Sequence, residues 1–193
     1  MLRTSAPLIG TLERIDMQSL ARDPITHAVN GGIRRGIEVA LAAEAYPSAV
    51  ILIYSGIDSM AYLAMPDGQD DVRRPDFVDW ASRYLRFPCA HQLTGNDLYG
   101  ARCAMLHNYS VTSRMSRSGE CRKIGYMNHS VPEVRYDPTV DPSLVMVSIV
   151  GLAEAFFRGI DQFLVNAFEQ RERHPLLERR LASFVQCIPH EEE

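Results

Sequence analysis

The chain has 193 residues, which fits one domain with a single core and is short for two. Its hydrophobic fraction of 46% and charged fraction of 23% are close to those of folded soluble domains, which argues against both disorder and a membrane protein. The net charge of −4 gives no overall attraction to nucleic acid, so any phosphate-binding surface must be local. We expect a single domain over residues 1–193.

The cysteines and the apolar stretches predict a cytoplasmic protein. The four cysteines are scattered without a C-x-x-C pair, and the first residues do not follow the pattern of a secretory leader. The two most apolar stretches, residues 47–65 and 144–165, contain charged residues such as Asp58 and Glu154, so we expect core helices and no membrane contact. The histidines lack metal-ligand spacing, and we expect neither a metal nor another cofactor.

Helices are predicted in the first half of the chain by apolar periodicity. Residues 1–23 show no clean period and are interpreted as an irregular arm. Residues 30–45 carry apolar side chains at helical spacing, and residues 49–65 are apolar on every side, which is typical of a central helix. A third helix is predicted over residues 75–87, because Pro88 ends it.

A fourth helix is predicted to begin after Thr94, with Asp97 as the acidic half of a capping box, and to run to about Tyr109. Residues 110–142 lose the helical period and are interpreted as a long irregular or hairpin insertion, with short strands at 121–127 and 131–136. Two more helices are expected, over residues 144–172 and 176–187. The predicted fold class is therefore all-α, a bundle of five or six helices.

Arg102 lies within the apolar arc of the fourth predicted helix. The other members of that arc are Leu98, Ala101, Met105, Leu106 and Tyr109. Burying a guanidinium group without a partner costs several kcal/mol, so Arg102 needs an anionic partner or an opening. Asp58, the one charged residue of the central helix, has the complementary problem. The two side chains either form a purely structural ion pair or belong to a site.

His107 follows Arg102 by five residues, which on a helix means a rotation of roughly 140°. The two side chains are then expected to flank a ridge, and one chain by itself is not expected to bring them together. A second copy packed along this ridge would gather two arginines and two histidines in one cleft at a two-fold axis. Such a homodimer would form a phosphate site.

Residues 102–107, Arg-Cys-Ala-Met-Leu-His, resemble the R-x4-6-H motif of HEPN domains (higher eukaryotes and prokaryotes nucleotide-binding). The stretch 54–126, with LYGARCAMLHNYS, is also similar to a group of uncharacterised bacterial proteins. The resemblance implies a metal-independent ribonuclease at a dimer interface, in which Arg102 holds the phosphate and His107 moves protons. Cys103 departs from the polar residue frequent after the arginine, and Asn108 is considered as a substitute orienting group. Defence, stress response and toxin–antitoxin pairing with an antitoxin are the implied settings.

A basic segment follows the motif and is a candidate RNA-binding surface. Its cations are Arg114, Arg117, Arg122 and Lys123. The rings of Tyr126, His129 and Tyr136 lie nearby in sequence and could stack on bases. The alternative is a solvated hairpin that carries ordinary surface charges.

Two other functions remain open from the sequence. In the first, the protein is a non-catalytic bundle that binds a nucleotide or a protein partner. Arg102 then forms a structural ion pair with Asp58, and His107 is a surface residue. In the second, it is a small-molecule enzyme with a deep apolar cavity near Asp58 and Tyr54.

Overall fold

The structure is a computed structural model that describes residues 25–184, so the predicted arm 1–23 and the end of the last predicted helix lie outside the described residues. The α-helices in this range are α1 (Arg35–Ala42), α2 (Tyr46–Ala64), α3 (Arg74–Tyr84), α4 (Gly95–Asn108), α5 (Arg114–Arg117), α6 (Ile149–Glu169) and α7 (His174–Leu181). The stretch Ile25–Arg34 is a π-helix that leads into α1, and Arg171–Arg173 is a 3-10 turn before α7. The prediction of a mostly helical bundle is confirmed.

Helix α2 is the centre of the core, as its apolar sequence predicts. It packs against α1, α3, α4, α6 and α7. A Cβ atom on Gly56 would come within 2.6 Å of Phe156, so this glycine allows α2 and α6 to approach closely. By length and composition α2 could also cross a membrane, but half of its most apolar window is buried inside the protein. This burial is typical of a core helix.

The prediction of an all-α fold is wrong, because three strands form a small sheet. The strands are β1 (Lys123–Met127), β2 (Val134–Arg135) and β3 (Leu144–Ser148). Strand β3 lies in the middle, parallel to β1 and antiparallel to β2. The two strands predicted in the insertion therefore exist, but they pair with β3 and do not form a hairpin with each other.

Strand β3 also corrects the predicted helix over residues 144–172, whose first five residues are extended. Val145 and Val147 are buried on one face of this strand, whereas Leu144 and Met146 are half-buried. A short apolar run of this kind is compatible with a strand or with a buried helix turn, and its pairing partner decides between them. Helix α6 begins only after Ser148, whose hydroxyl accepts a hydrogen bond from the Gly151 N–H at 3.1 Å.

Both ends of α4 are fixed by local hydrogen bonds. The predicted capping box is present, since the Asp97 N–H donates to Thr94 Oγ1 at 3.1 Å and the Thr94 N–H donates to Asp97 Oδ2 at 2.9 Å. At the other end, Tyr109 adopts a left-handed conformation with φ 50° and ends the helix at Asn108. Tyr109 therefore leaves the apolar arc on which its spacing placed it, and its side chain is exposed.

Candidate functional site

Helices α2 and α4 bring Asp58 and Arg102 into an ion pair. The Nε and Nη2 atoms of Arg102 both lie 2.9 Å from Asp58 Oδ2. The side chains are 23% exposed for Arg102 and 24% for Asp58, so the pair lies at the edge of the helix contact and is open to solvent on one side. The anionic partner that the sequence requires for Arg102 is thus present, and the guanidinium also has an opening.

Burial and charge act against each other in this pair. Burial raises the pKa of the Asp58 carboxyl above its ordinary value, and Arg102 and His107 oppose this rise only in part. For Arg102, burial alone would lower the pKa, but the Asp58 carboxylate outweighs it and the pKa is raised. The guanidinium therefore remains a cation that can attract an anionic ligand.

His107 lies next to the same guanidinium. Its Nε2 atom is 3.4 Å from Arg102 Nη1, the one terminal nitrogen that Asp58 does not engage. The expectation that one chain cannot bring the two side chains together is wrong. Five residues advance a helix by about 7.5 Å, and the contact shows that the two side chains together cover this distance and the rotation between them. Because a guanidinium only donates, Nε2 accepts in this contact.

Two further residues, which no motif in the sequence marks, complete the surroundings of Arg102. The Tyr99 ring centroid is 6.0 Å from Arg102 Cζ and 5.8 Å from Arg74 Cζ, so the ring lies near two cations. Tyr99 precedes Arg102 by three residues on one helix, a spacing that would have indicated the contact. Arg74 comes from α3, and no local pattern relates it to α4.

The supporting residues of the motif have different surroundings. The Cys103 thiol interacts with Tyr99 and Arg102 and, after burial, is a cause of the raised pKa of Tyr99. Asn108 is exposed, and its side chain has no hydrogen bond to any residue from 25 to 184. Cys103 therefore belongs to the site, whereas the Asn108 side chain forms no hydrogen bond with His107.

Two cations of the basic segment form contacts within the protein, and the other two are exposed to solvent. Arg122 is an internal anchor: its backbone N–H donates to Asp97 Oδ1 at 2.8 Å, its Nε lies 3.2 Å from Asp97 Oδ2, and its Nη1 lies 2.7 Å from His91 Nε2. Lys123 Nζ is 3.4 Å from the Asp141 carboxylate. Two exposed cations of the candidate RNA surface are left without an ion pair to a described residue, namely Arg114 and Arg117.

The aromatic rings of this segment are largely engaged by the protein. The Tyr126 hydroxyl lies 2.8 Å from the buried Tyr54 hydroxyl, and burial raises the pKa of both groups. The Tyr136 ring stacks on His91 at 4.4 Å. His129, although exposed, has its Nδ1 atom 3.5 Å from the Glu133 carboxylate. The rings of Tyr126 and Tyr136 are therefore not free stacking surfaces, whereas His129 keeps an exposed ring.

No group of three His, Cys, Asp or Glu side chains within residues 25–184 could hold a metal ion. A cleft of about 560 Å³ lies between the carboxyl end of α2 and the length of α3, with Trp80, Phe163 and Arg173 among its lining residues. Neither Asp58 nor Tyr54 lines it, so this cleft does not support the small-molecule pocket considered from the sequence.

Comparisons with protein families, curated proteins and solved structures give no match to this chain. We therefore infer its function from the residues that α2 and α4 bring together.

Proposed function

We propose that this chain is a HEPN-like ribonuclease that cleaves RNA without a metal ion and acts as a homodimer. The supporting observation is the 3.4 Å contact between Arg102 Nη1 and His107 Nε2 on a partly exposed guanidinium. It places a cation suited to phosphate beside a side chain suited to proton transfer at neutral pH.

In the proposed reaction, each side chain acts on one part of the phosphodiester. Asp58 holds the plane of the Arg102 guanidinium, and Nη1 donates to a non-bridging phosphate oxygen in place of the imidazole. His107 Nε2, released from this contact, accepts the proton of the ribose 2′-hydroxyl as its oxygen attacks phosphorus. The P–O5′ bond breaks, and the leaving oxygen takes a proton from a general acid. The products are a 2′,3′-cyclic phosphate and a free 5′-hydroxyl.

The homodimer would supply the second proton-transfer group, because each chain carries one histidine in the site. Arg114 and Arg117, both exposed, would contribute contacts to the RNA backbone. The scattered cysteines favour the cytoplasm as the location of such an enzyme. The resemblance to HEPN domains favours a role in defence, stress response or a toxin–antitoxin pair, with a protein antitoxin as partner.

A second candidate is a non-catalytic bundle that binds a nucleotide or a protein partner. It is favoured by the Asp58 carboxylate, which engages two of the three guanidinium nitrogens of Arg102 at 2.9 Å. In this case the pair fixes the register of α2 against α4, and His107 is a surface residue next to it.

Cleavage of labelled single-stranded RNA in the presence of EDTA tests the first candidate. We expect wild-type protein to release products that end in a 2′,3′-cyclic phosphate. His107→Ala and Arg102→Ala should each lower the rate by about 100-fold or more, because each removes one component of the chemical step. His174→Ala, a histidine at the start of α7, is the matched control and should leave the rate unchanged.

Activity that survives both substitutions would exclude this site, and activity that EDTA abolishes would exclude the metal-independent mechanism. Wild-type protein that leaves RNA intact but binds a nucleotide or a protein partner would favour the second candidate.

A further inference from the structure

Tyr109, the residue directly after α4, combines high exposure with an unusual backbone. The residue is 63% exposed, whereas Phe168, the other exposed Phe, Tyr or Trp residue in the described part of the chain, is 38% exposed. Its φ of 50° and ψ of 41° lie in the left-handed region, where the residue after a helix is usually glycine because a Cβ atom is disfavoured. Tyr109 therefore adopts an unfavourable backbone conformation at a position where its side chain contributes little to the core.

Tyr109 is nevertheless held at a fixed point. Its N–H donates to the Met105 carbonyl at 3.1 Å, and the Ser110 N–H donates to the Ala104 carbonyl at 3.1 Å. The first bond is the 5→1 bond of an αL helix cap, and the second ties the next residue back to the last turn of α4. The ring therefore projects from a rigid helix end, two residues after His107, and the two Cα atoms are at most about 7 Å apart.

We propose that Tyr109 is the stacking platform for an unpaired base next to the scissile phosphate. This inference depends on the proposed ribonuclease site and names its substrate class as single-stranded RNA. A base inside a duplex has no free face for the ring, whereas an unpaired base stacks on tyrosine with little dependence on its identity. Arg102, His107 and Tyr109 then contact the phosphate, the ribose and the base of one stretch of RNA.

The test uses binding of fluorescein-labelled single-stranded RNA to full-length protein in the His107→Ala background, which prevents cleavage during the measurement. Fluorescence anisotropy gives Kd for the RNA and for a matched oligonucleotide with abasic positions. We expect Tyr109→Gly to raise Kd for the RNA about tenfold or more, and Tyr109→Phe to keep it near the parent value. Loss of the bases should raise Kd by a similar factor in the parent and hardly at all in Tyr109→Gly.

The glycine variant separates binding from folding. Glycine suits the left-handed conformation, so the melting temperature of Tyr109→Gly should stay the same or rise while RNA affinity falls. Val111→Ala, which trims another exposed apolar side chain two residues on, should leave Kd unchanged.

The proposal is overturned if Tyr109→Gly binds RNA as tightly as its parent, or if RNA does not bind at all. It is also overturned if the substitution changes the mass of the particle in light scattering, because Tyr109 is then a contact between copies of the chain. Normal RNA cleavage by Tyr109→Gly would overturn the stacking role of Tyr109 but would agree with the proposed ribonuclease. Base-dependent binding by a wild-type protein that does not cleave RNA would show that Tyr109 binds a base, but it would overturn the position of Tyr109 beside a scissile phosphate.

Discussion

Among single residues, Asp97 shows how a cap can also serve as a tertiary anchor. Its side chain is 3% exposed and accepts hydrogen bonds from the backbone N–H of Thr94 and from the backbone and guanidinium of Arg122. Burial alone would raise the pKa of the Asp97 carboxyl, but the hydrogen bonds from Arg122 and Thr94 hold it below its ordinary value. This carboxylate therefore stabilises the fold in its ionised form.

The sign of the pH dependence follows from this lowered pKa. Stability from Asp97 is present above the pKa of the unfolded chain, about 3.9, and is lost as pH falls through the lower folded value. We expect Asp97→Asn to lower the free energy of unfolding by about 3 kcal/mol at pH 7, because Arg122 loses its buried partner. Below about pH 4 the difference between variant and wild type should shrink. Urea unfolding at a series of pH values measures this.

Asp70→Asn is the control for that series, since Asp70 is exposed and has no hydrogen bond or ion pair with another residue from 25 to 184. A difference between Asp97→Asn and wild type that stays constant from pH 7 to pH 3 would contradict the stabilising role of the ionised carboxylate.

At the scale of elements, the carboxyl end of α2 depends on two arginines from the end of the described chain. Arg180 is buried and donates to the carbonyl oxygens of Leu63, Met65 and Pro66, and Arg173 Nη2 donates to the Ala64 carbonyl at 2.7 Å. The last carbonyls of a helix lack intrahelical partners and form its negative end. The two cations thus join the 3-10 turn and α7 to the central helix.

Replacing Arg180 tests this connection. Arg180→Leu keeps an apolar stem but leaves several carbonyl oxygens without donors, so we expect the free energy of unfolding to fall by about 2–3 kcal/mol. Arg179→Leu is the matched control: Arg179 pairs with Asp67 at 2.8 Å, but both side chains are largely exposed, and the change should stay within about 0.5 kcal/mol. Equal urea midpoints for the two variants would show that the cap contributes nothing.

For the whole molecule, the question is whether one chain or two build the reactive pair. Arg102 and His107 meet at 3.4 Å within a single chain, so a dimer brings two complete pairs together and does not assemble each pair from two halves. We therefore expect that mixing Arg102→Ala and His107→Ala proteins, unfolded and refolded together, will not restore RNA cleavage. A different affinity tag on each variant, with capture on the two tags in succession, establishes that mixed particles form. If the two side chains acted across the interface, half of the randomly assembled dimers would be mixed and each mixed dimer would hold one intact site of two. Recovery of about a quarter of the wild-type activity would therefore contradict this expectation.

Features that rest on neighbours in the chain could be predicted from the sequence. Helix α2 follows from a stretch that is apolar on every side, and α3 and α4 follow from their apolar spacing and their end signals. The capping box of Thr94 and Asp97 follows from a three-residue spacing. The need of Arg102 for an anionic partner, and Asp58 as a candidate for it, follow from the cost of burying charge. Each of these depends on a helix face or on the chemistry of one side chain.

Features that rest on distant residues were decided only in the tertiary structure. The run Leu144–Ser148 became a strand because β1 and β2 supply hydrogen-bonding partners, and Arg122 became an anchor because α4 presents Asp97 to it. The approach of His107 to Arg102 depends on how Asp58 orients the guanidinium along α4. Short-range spacing determines which residues share a helix face, but the direction in which a long charged side chain points is set by the partner it meets in space.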